Sequence, residues 1–380
     1  MNDLFGLTNL PYGVYSVDGS APRVGTRFGE HVVDLATLLG DEVFARPSLN
    51  AFMAQGRERW EAVRAAIAVA LAGELPADGV HRLEEVTLHL PFEVADYVDF
   101  YASEQHASNL GRLFRPESPD PLMPNWKHLP VSYTGRAASV VVSGTDIVRP
   151  CGQRLPAGGT SPEFGPSQRL DIEAEIGFVV GTGNPMGTPI AAGAAEDHLF
   201  GVTLFNDWSA RDIQAWEYVP LGPHLGKSFG STVSAWVVPL AALDAARIDT
   251  PRQDPAPLDY LALDRPWGLD ISLEVWLNDE LISTPPYGST YWSPAQMLAH
   301  LTVNGAPTRT GDLFASGTVS GPGPDEVGSL IERGKEFLED GDEVVLRATA
   351  PGADGTRIGF GEARGRISRA QIPVPPSKET

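Results

Sequence analysis

Cysteine is almost missing: Cys151 is the single one in 380 residues. One thiol cannot close an intrachain disulfide, so nothing argues for an oxidising compartment. Runs of Lys and Arg are missing too, and 28 basic residues face 49 acidic ones, a formal net charge of −21. Such a surface repels a phosphate backbone and an anionic membrane, so neither nucleic acid nor membrane is an expected partner. The longest apolar run, around Ala65 to Gly73, is far short of the roughly 20 residues that span a bilayer. The start, MNDLFGLTNLPYG, lacks the basic first segment and apolar core of a signal peptide. The expectation is a soluble cytoplasmic protein.

What the chain does contain is turn chemistry. Gly (40) and Pro (33) are abundant, while 42% hydrophobic residues is ordinary for a folded protein. That balance favours short strands joined by turns over long helices. The length suits two domains, and a boundary is expected near residue 88, giving 1–88 and 89–380. In the first part, "YGVYSV" and "RVGTRFGEHVVDL" alternate like strands. "RERWEAVRAAIAVALAGEL" has helical spacing and stops at Gly73, with Pro76 beyond. This part holds no titratable cluster and reads as structural.

Beyond residue 88, β-branched runs recur: "ASVVVSGTDIV", "LDIEAEIGFVVG", "FGVTLFND", "TVSAWVVPL", "LDISLEVWLND" and "GDEVVLRAT". Helical stretches are few: Ser103 to Phe114, Ser209 to Trp216, Ser293 to Leu301, and a segment around Glu332. Strands outnumber helices without regular β-α alternation, which argues against a doubly wound sheet. The fold class is mainly β (α+β), with a large, mainly antiparallel domain that is rolled or barrel-like. The tail, "QIPVPPSKET", reads as a loose end.

"LDIEAEIGFVV" is the most informative strand. Alternation puts Ile172, Ala174 and Ile176 on one face and Asp171, Glu173 and Glu175 on the other. Three like charges spaced about 7 Å apart repel, and burial would push their pKa values up. Either this face is a solvated edge or something positive sits on it. Asp207 ends the next strand, "GVTLFND", with Ser209 expected to cap the helix that follows. Asp99 stands in a similar place near the end of the alternating "VADYVDF". Four oxygen donors with no Cys and no paired His specify a hard cation, Mg²⁺ or Ca²⁺ rather than Zn²⁺. Spacing alone does not bring them together.

His106 lies three residues after Ser103, a plausible helix N-cap. An imidazole in the first helical turn feels the positive end of the dipole, which favours the neutral form a general base needs. The plainer reading is one of eight histidines with a satisfied hydrogen bond. Its nearness to Asp99 and Tyr101 favours the first.

Three short motifs carry nothing. "GKSFG" fits a nucleophile elbow around Ser228, but a strand follows it where a helix is required. "GPHLGKS" is one residue short of a P-loop. "GTGNPMG" has the wrong glycine spacing for a dinucleotide loop, and Pro185 and Pro189 block the helix start.

Five long stretches, in order, carry a family resemblance: "DFYASEQHASNLGRLFR", "NWKHLPVSYTGRAASVVVSGT", "LDIEAEIGFVVGTGN", "FNDWSARDIQAWEYVPLGPHLGKSFGSTVSAWVVP" and "DLFASGTVSGPGPDEVGSLIE". Together they resemble the fumarylacetoacetate hydrolase family from Asp99 to Glu332, and the N-terminal part has the size of that family's small SH3-like domain. "EYVPLGPHLGKSFG" favours the fumarylacetoacetate-cleaving branch over decarboxylases, hydratases and acylpyruvate hydrolases.

The resemblance implies metal-dependent hydrolysis of the carbon–carbon bond of 4-fumarylacetoacetate to fumarate and acetoacetate, the last step of tyrosine degradation. It implies Asp99, Glu173, Glu175 and Asp207 as metal ligands, with Asp171 left behind them or at the surface. It implies His106 as the base, Glu332 as the glutamate that orients it, and Arg211, Gln214 and Lys227 as the electrophilic side. Tyr101, Arg115, Tyr133, Gln214, Tyr218 and Thr318 are implied as substrate contacts. Ser231 stands where the family often has Thr. A homodimer built through the large domain is also implied. The rival readings are an acylpyruvate hydrolase or oxaloacetate decarboxylase using the same acids, a serine hydrolase on Ser228, and a silent binding scaffold.

Overall fold

The computed structural model describes residues 4–334 and 336–372. The end of the tail, from residue 373, lies outside the described residues. The chain is mostly sheet with short helices, the mainly β, α+β class expected. Among the described residues no helix is long and apolar enough to cross a membrane.

Thirteen strands form the main sheet among the described residues. Tyr12–Val17 pairs antiparallel with Arg23–Phe28 and, on its other side, with Trp236–Pro239. The backbone of the first 88 residues is therefore hydrogen-bonded directly into the larger part. Gly13 sits opposite Trp236, where a Cβ would come within 2.7 Å of the indole. Glycine is required there because the indole ring and the Ala235 carbonyl fill the space a Cβ would need.

The Arg57–Leu71 helix buries Trp60, Val63, Ile67 and Leu71 along one face. This is the i, i+3, i+4 stripe of an amphipathic helix. Trp60 packs edge-on against Phe200 at 5.4 Å, and Tyr12 and Phe52 meet the same Phe200 ring. One apolar cluster thus spans both parts of the chain.

The expected carboxylate strand is not an edge. Ala174–Val180 lies between Leu199–Asp207 and Leu313–Ala315, antiparallel to both, and is buried along its whole length. It is also not continuous. Leu170–Asp171 pairs separately with Ser209–Ala210, and the chain breaks regular pairing at Ile172 and Glu173. Ser209 is therefore a strand residue. The N-cap of the Arg211–Glu217 helix is Ala210, which has no side-chain oxygen to offer, while Ser209 is held in the strand pair and its hydroxyl donates to the Asp207 carbonyl.

Arg357–Ser368 is a twelve-residue strand in a second sheet, paired with Glu343–Pro351. Three glycines (359, 361 and 365) and several charges interrupt its alternation, so periodicity missed it. Gly365 lies against Trp208, which leaves 2.5 Å for any Cβ.

Candidate metal centre and active site

Adjacent strands bring four acids together. Asp99 comes from Tyr97–Phe100, which pairs in parallel with Leu313–Ala315 in the register Asp99 to Ala315. Glu175 is in the central strand, and Glu173 lies just before it at the break. Asp207 ends the neighbouring strand opposite Ser231. Each of Asp99, Glu173, Glu175 and Asp207 offers an oxygen, all within 4.8 Å of one another, and all four residues are buried.

The two halves of this cluster differ. Lys227, 3% exposed, donates to Glu173 and, at 2.7 Å, to Asp207. Arg211 Nη1 reaches Glu173 at 2.7 Å. Burial alone would raise the Glu173 pKa, but Lys227, Arg211 and His106 outweigh it and hold the carboxyl below its ordinary range. Asp99 and Glu175 have no such cation. Burial first, then Asp207 beside Asp99 and Asp99 beside Glu175, push both well above the ordinary carboxylate range. Asp99 Oδ1 and Glu175 Oε1 are buried without a hydrogen-bond partner.

An all-carboxylate donor set with two orphaned, electrostatically frustrated oxygens fits a hard divalent cation. Of the two readings left open, a solvated edge or a positive counterpart, the second holds in part, through Lys227 and Arg211. The remaining negative potential is concentrated on Asp99 and Glu175.

Lys227 is delivered by a constrained loop. Glu217 Oε1 accepts the backbone N–H groups of His224 and Gly226, and a Cβ on Gly226 would meet Gln214 N at 2.8 Å. The lysine follows that close backbone approach. Ser231 donates to Asp207 Oδ1 at 3.0 Å. The Tyr133 hydroxyl lies 2.9 Å from Asp99 Oδ2 and 2.7 Å from Asp207 Oδ2, so it bridges two of the acids.

His106 lies in the first turn of the Glu104–Phe114 helix, with Ser103 as N-cap accepting from His106 N. Its Nδ1 is 2.7 Å from Glu332 Oε2. Glu332 also accepts from Asn109 and from Ser320 and Ser329. Burial opposes the ionised form, yet His106, Ser329 and Asn109 hold the carboxyl down at about 2. An ionised Glu332 can only accept, so Nδ1 carries a proton, and the tautomer that can act as a base is the one with its lone pair on Nε2. Tyr101 stands edge-on to the imidazole at 5.4 Å.

The Glu332 pKa is depressed from 4.5 to about 2, so its stabilisation is full above the unfolded value and lost as pH falls through the folded one. Unfolding free energy is expected to drop by roughly 3 kcal/mol from this group between about pH 5 and pH 2. Denaturant titrations of wild type and Glu332→Gln across that range test it. Equal acid sensitivity in both would refute it.

The remaining implied residues fall in different places. Thr318 is buried with an unpartnered Oγ1, and the adjacent Gly317 N–H binds Glu175 Oε2 at 2.9 Å. Gln214 accepts from Arg211 Nη1 at 3.3 Å, and Arg211 Nη2 is buried without a partner. Arg115 is exposed, bonding the Pro121 carbonyl, although its charge acts on the Tyr101 phenol. Tyr218 is 50% exposed and has no side-chain contact with the acids among the described hydrogen bonds. Asp171, left open between the interior and the surface, is fully buried against Arg211. Sequence reasoning missed Asn109, Ser320 and Ser329. Asn109 was legible as the helix neighbour three residues after His106; the two serines carry no local signal.

The chain belongs to the fumarylacetoacetate hydrolase family. Residues 96–368 match its description "Fumarylacetoacetate (FAA) hydrolase C-terminal", and residues 8–91 match "Fumarylacetoacetase N-terminal". The chain is 44% identical over 409 residues to the fumarylacetoacetase of Homo sapiens, covering 97% of each chain. It is 44% identical over 411 residues to that of Caenorhabditis elegans, covering 98% of each. Two solved structures share the fold. One is a fumarylacetoacetate hydrolase from Exiguobacterium antarcticum, with TM-score 0.59 and 18% identity over 95% of this chain and 100% of that one. The other is a maleylpyruvate hydrolase from Sphingobium sp. SYK-6 in complex with manganese(II) and pyruvate, with TM-score 0.56 and 15% identity over the same shares.

Proposed function

We propose that this protein hydrolyses the carbon–carbon bond of 4-fumarylacetoacetate to fumarate and acetoacetate, the last step of tyrosine degradation. One observation carries the reading beyond family membership. A buried four-carboxylate cluster, a carboxylate-held imidazole and two buried cations converge on one site.

Asp99, Glu173, Glu175 and Asp207 would hold the cation, Mg²⁺ or Ca²⁺. When bound, such an ion supplies Lewis acidity that polarises a substrate carbonyl and steadies negative charge on oxygen. His106, with Nδ1–H fixed on Glu332, takes a proton from water through Nε2. The hydroxyl oxygen adds to the carbonyl carbon of the fumaryl group, which becomes the new carboxyl of fumarate. Arg211, whose Nη2 has no partner, holds the resulting oxyanion with Gln214 and Lys227; each good donor of this kind contributes roughly 3 kcal/mol. The carbon–carbon bond then breaks, its electron pair leaves on the acetoacetate fragment, and the proton taken by His106 balances that carbanion. Tyr101, Tyr133, Tyr218, Thr318 and Arg115 set the substrate's orientation, with Arg115 supplying charge for a terminal carboxylate. We further read the enzyme as a cytoplasmic homodimer, as the family resemblance implies; light scattering tests the oligomer.

Purified protein is expected to consume fumarylacetoacetate absorbance, to stop after chelator treatment, and to recover with Mg²⁺ or Ca²⁺. Fumarate and acetoacetate must appear in equal amounts. No turnover by folded, metal-replete protein would discard this substrate in favour of smaller acylpyruvates or oxaloacetate.

A further inference from the structure

We propose that Asp171 is a positioning residue that ties the base side of the active site to its electrophilic side. The roles of those two sides rest on the function proposed above. Asp171 is 0% exposed and stands outside the four-acid cluster. Its two oxygens accept four hydrogen bonds. Oδ2 takes Arg211 Nε at 2.8 Å and Ile331 N at 3.2 Å. Oδ1 takes Leu330 N at 2.7 Å and Ile172 N at 2.8 Å.

Two of those donors belong to Leu330–Arg333, the single helical turn that carries Glu332. The first N–H groups of a helix need acceptors from outside it. Ser329 occupies the N-cap position, where a serine would normally supply one. It makes no such bond here; its hydroxyl donates instead to Glu332 Oε2 at 2.6 Å. Asp171 takes over the capping from far away in sequence, and the serine is released to hold the catalytic glutamate.

The same carboxylate orients Arg211. The guanidinium is shared between Asp171 on Nε and Glu173 on Nη1, which leaves Nη2 free. Without Asp171 the guanidinium has one buried anion left and swings towards it. One side chain therefore sets where the imidazole's partner sits and where the free guanidinium N–H points.

Asp171→Asn keeps the shape but turns an acceptor into a donor. In either amide orientation two of the four bonds are lost. Loss of positioning by about an ångström is expected to lower kcat by about 100-fold, with KM changed less than about threefold. In ligand-free protein, the far-downfield NMR resonance of the His106 Nδ1 proton is expected to shift or broaden, although Asp171 touches neither His106 nor Glu332. Combined with Glu332→Gln, Asp171→Asn should add only the share carried through Arg211, about tenfold instead of about 100-fold, because the arm that acts through Glu332 is already lost. A folded Asp171→Asn protein with near-normal kcat and an unmoved resonance would overturn the proposal, and so would a fully multiplicative double variant.

Leu330→Pro is the second variant. Proline is tolerated at the first helical position, and the extended Ser329 backbone (φ −140°, ψ 154°) suits a following proline. It deletes one Asp171 bond and leaves the Arg211 pair intact, and Leu330→Ala, which keeps the N–H but loses the same buried side chain, is its control. Should Asp171→Asn fail to fold, Leu330→Pro decides: the same resonance shift and a loss of about tenfold in kcat are expected, since one of the two arms is cut, and no change in either overturns the proposal. If wild type fails on fumarylacetoacetate, the substrate reading falls, and the resonance still decides the role of Asp171.

Discussion

His106→Ala is expected to lower kcat by roughly 10³-fold, within the 10²–10⁴ range of a positioned general base. Metal binding should survive, because the imidazole is not among the four clustered acids. The stability change is the informative part. His106 is buried and bonds a buried, ionised glutamate, so its loss costs about 1.5–3 kcal/mol, as expected for a charged hydrogen bond. The cost should stay at that level because Glu332 keeps Asn109, Ser320 and Ser329 as donors. Steady-state kinetics, calorimetric metal titration and thermal melts read the three effects separately. A variant with near-normal turnover would remove His106 from the chemistry.

Replacing a metal ligand is expected to abolish metal binding and activity together, yet with opposite effects on the metal-free protein. Glu173→Gln removes the anion that Lys227 and Arg211 both hold. Two buried cations lose a partner, and breaking such an arrangement costs about 3–5 kcal/mol. Glu175→Gln removes a carboxylate that has no cation of its own, one orphaned oxygen, and three acidic neighbours. The metal-free protein should become more stable, because neutralising a frustrated charge relieves repulsion. For both variants, affinity for Mg²⁺ and Ca²⁺ should fall by more than the roughly 10–100-fold typical of losing an outer partner of a ligand. Asp207→Asn should follow Glu173→Gln, since Asp207 also holds Lys227. Urea unfolding after chelation, followed by metal titration, distinguishes the two signs. Full activity of Glu173→Gln or Asp207→Asn without added metal would refute the ligand set, and equal destabilisation by Glu173→Gln and Glu175→Gln would refute the division of the cluster.

Much of this protein was legible before any coordinates. Local rules determined the Arg57–Leu71 helix from its apolar stripe, the Ser103 cap that sets His106 in a first turn, and the strands that carry Asp99 and Asp207. Chemistry of residue type narrowed a row of acids to a solvated edge or a face with a positive partner. Local rules failed where the competing interaction came from elsewhere in the chain. Ser209 was diverted from capping by the pairing of Leu170–Asp171 with Ser209–Ala210. The strand Arg357–Ser368 was hidden by glycines whose reason is Trp208 and Trp236, packed against them from distant segments. Tertiary structure alone decided that the acidic face is buried, that Lys227 and Arg211 neutralise Glu173 but not Glu175, and that Glu332 meets His106 across more than 200 residues. The physical reason is common to all three. A charge's partner and its degree of burial are properties of the folded packing, and periodicity along the chain records only which residues could share a face.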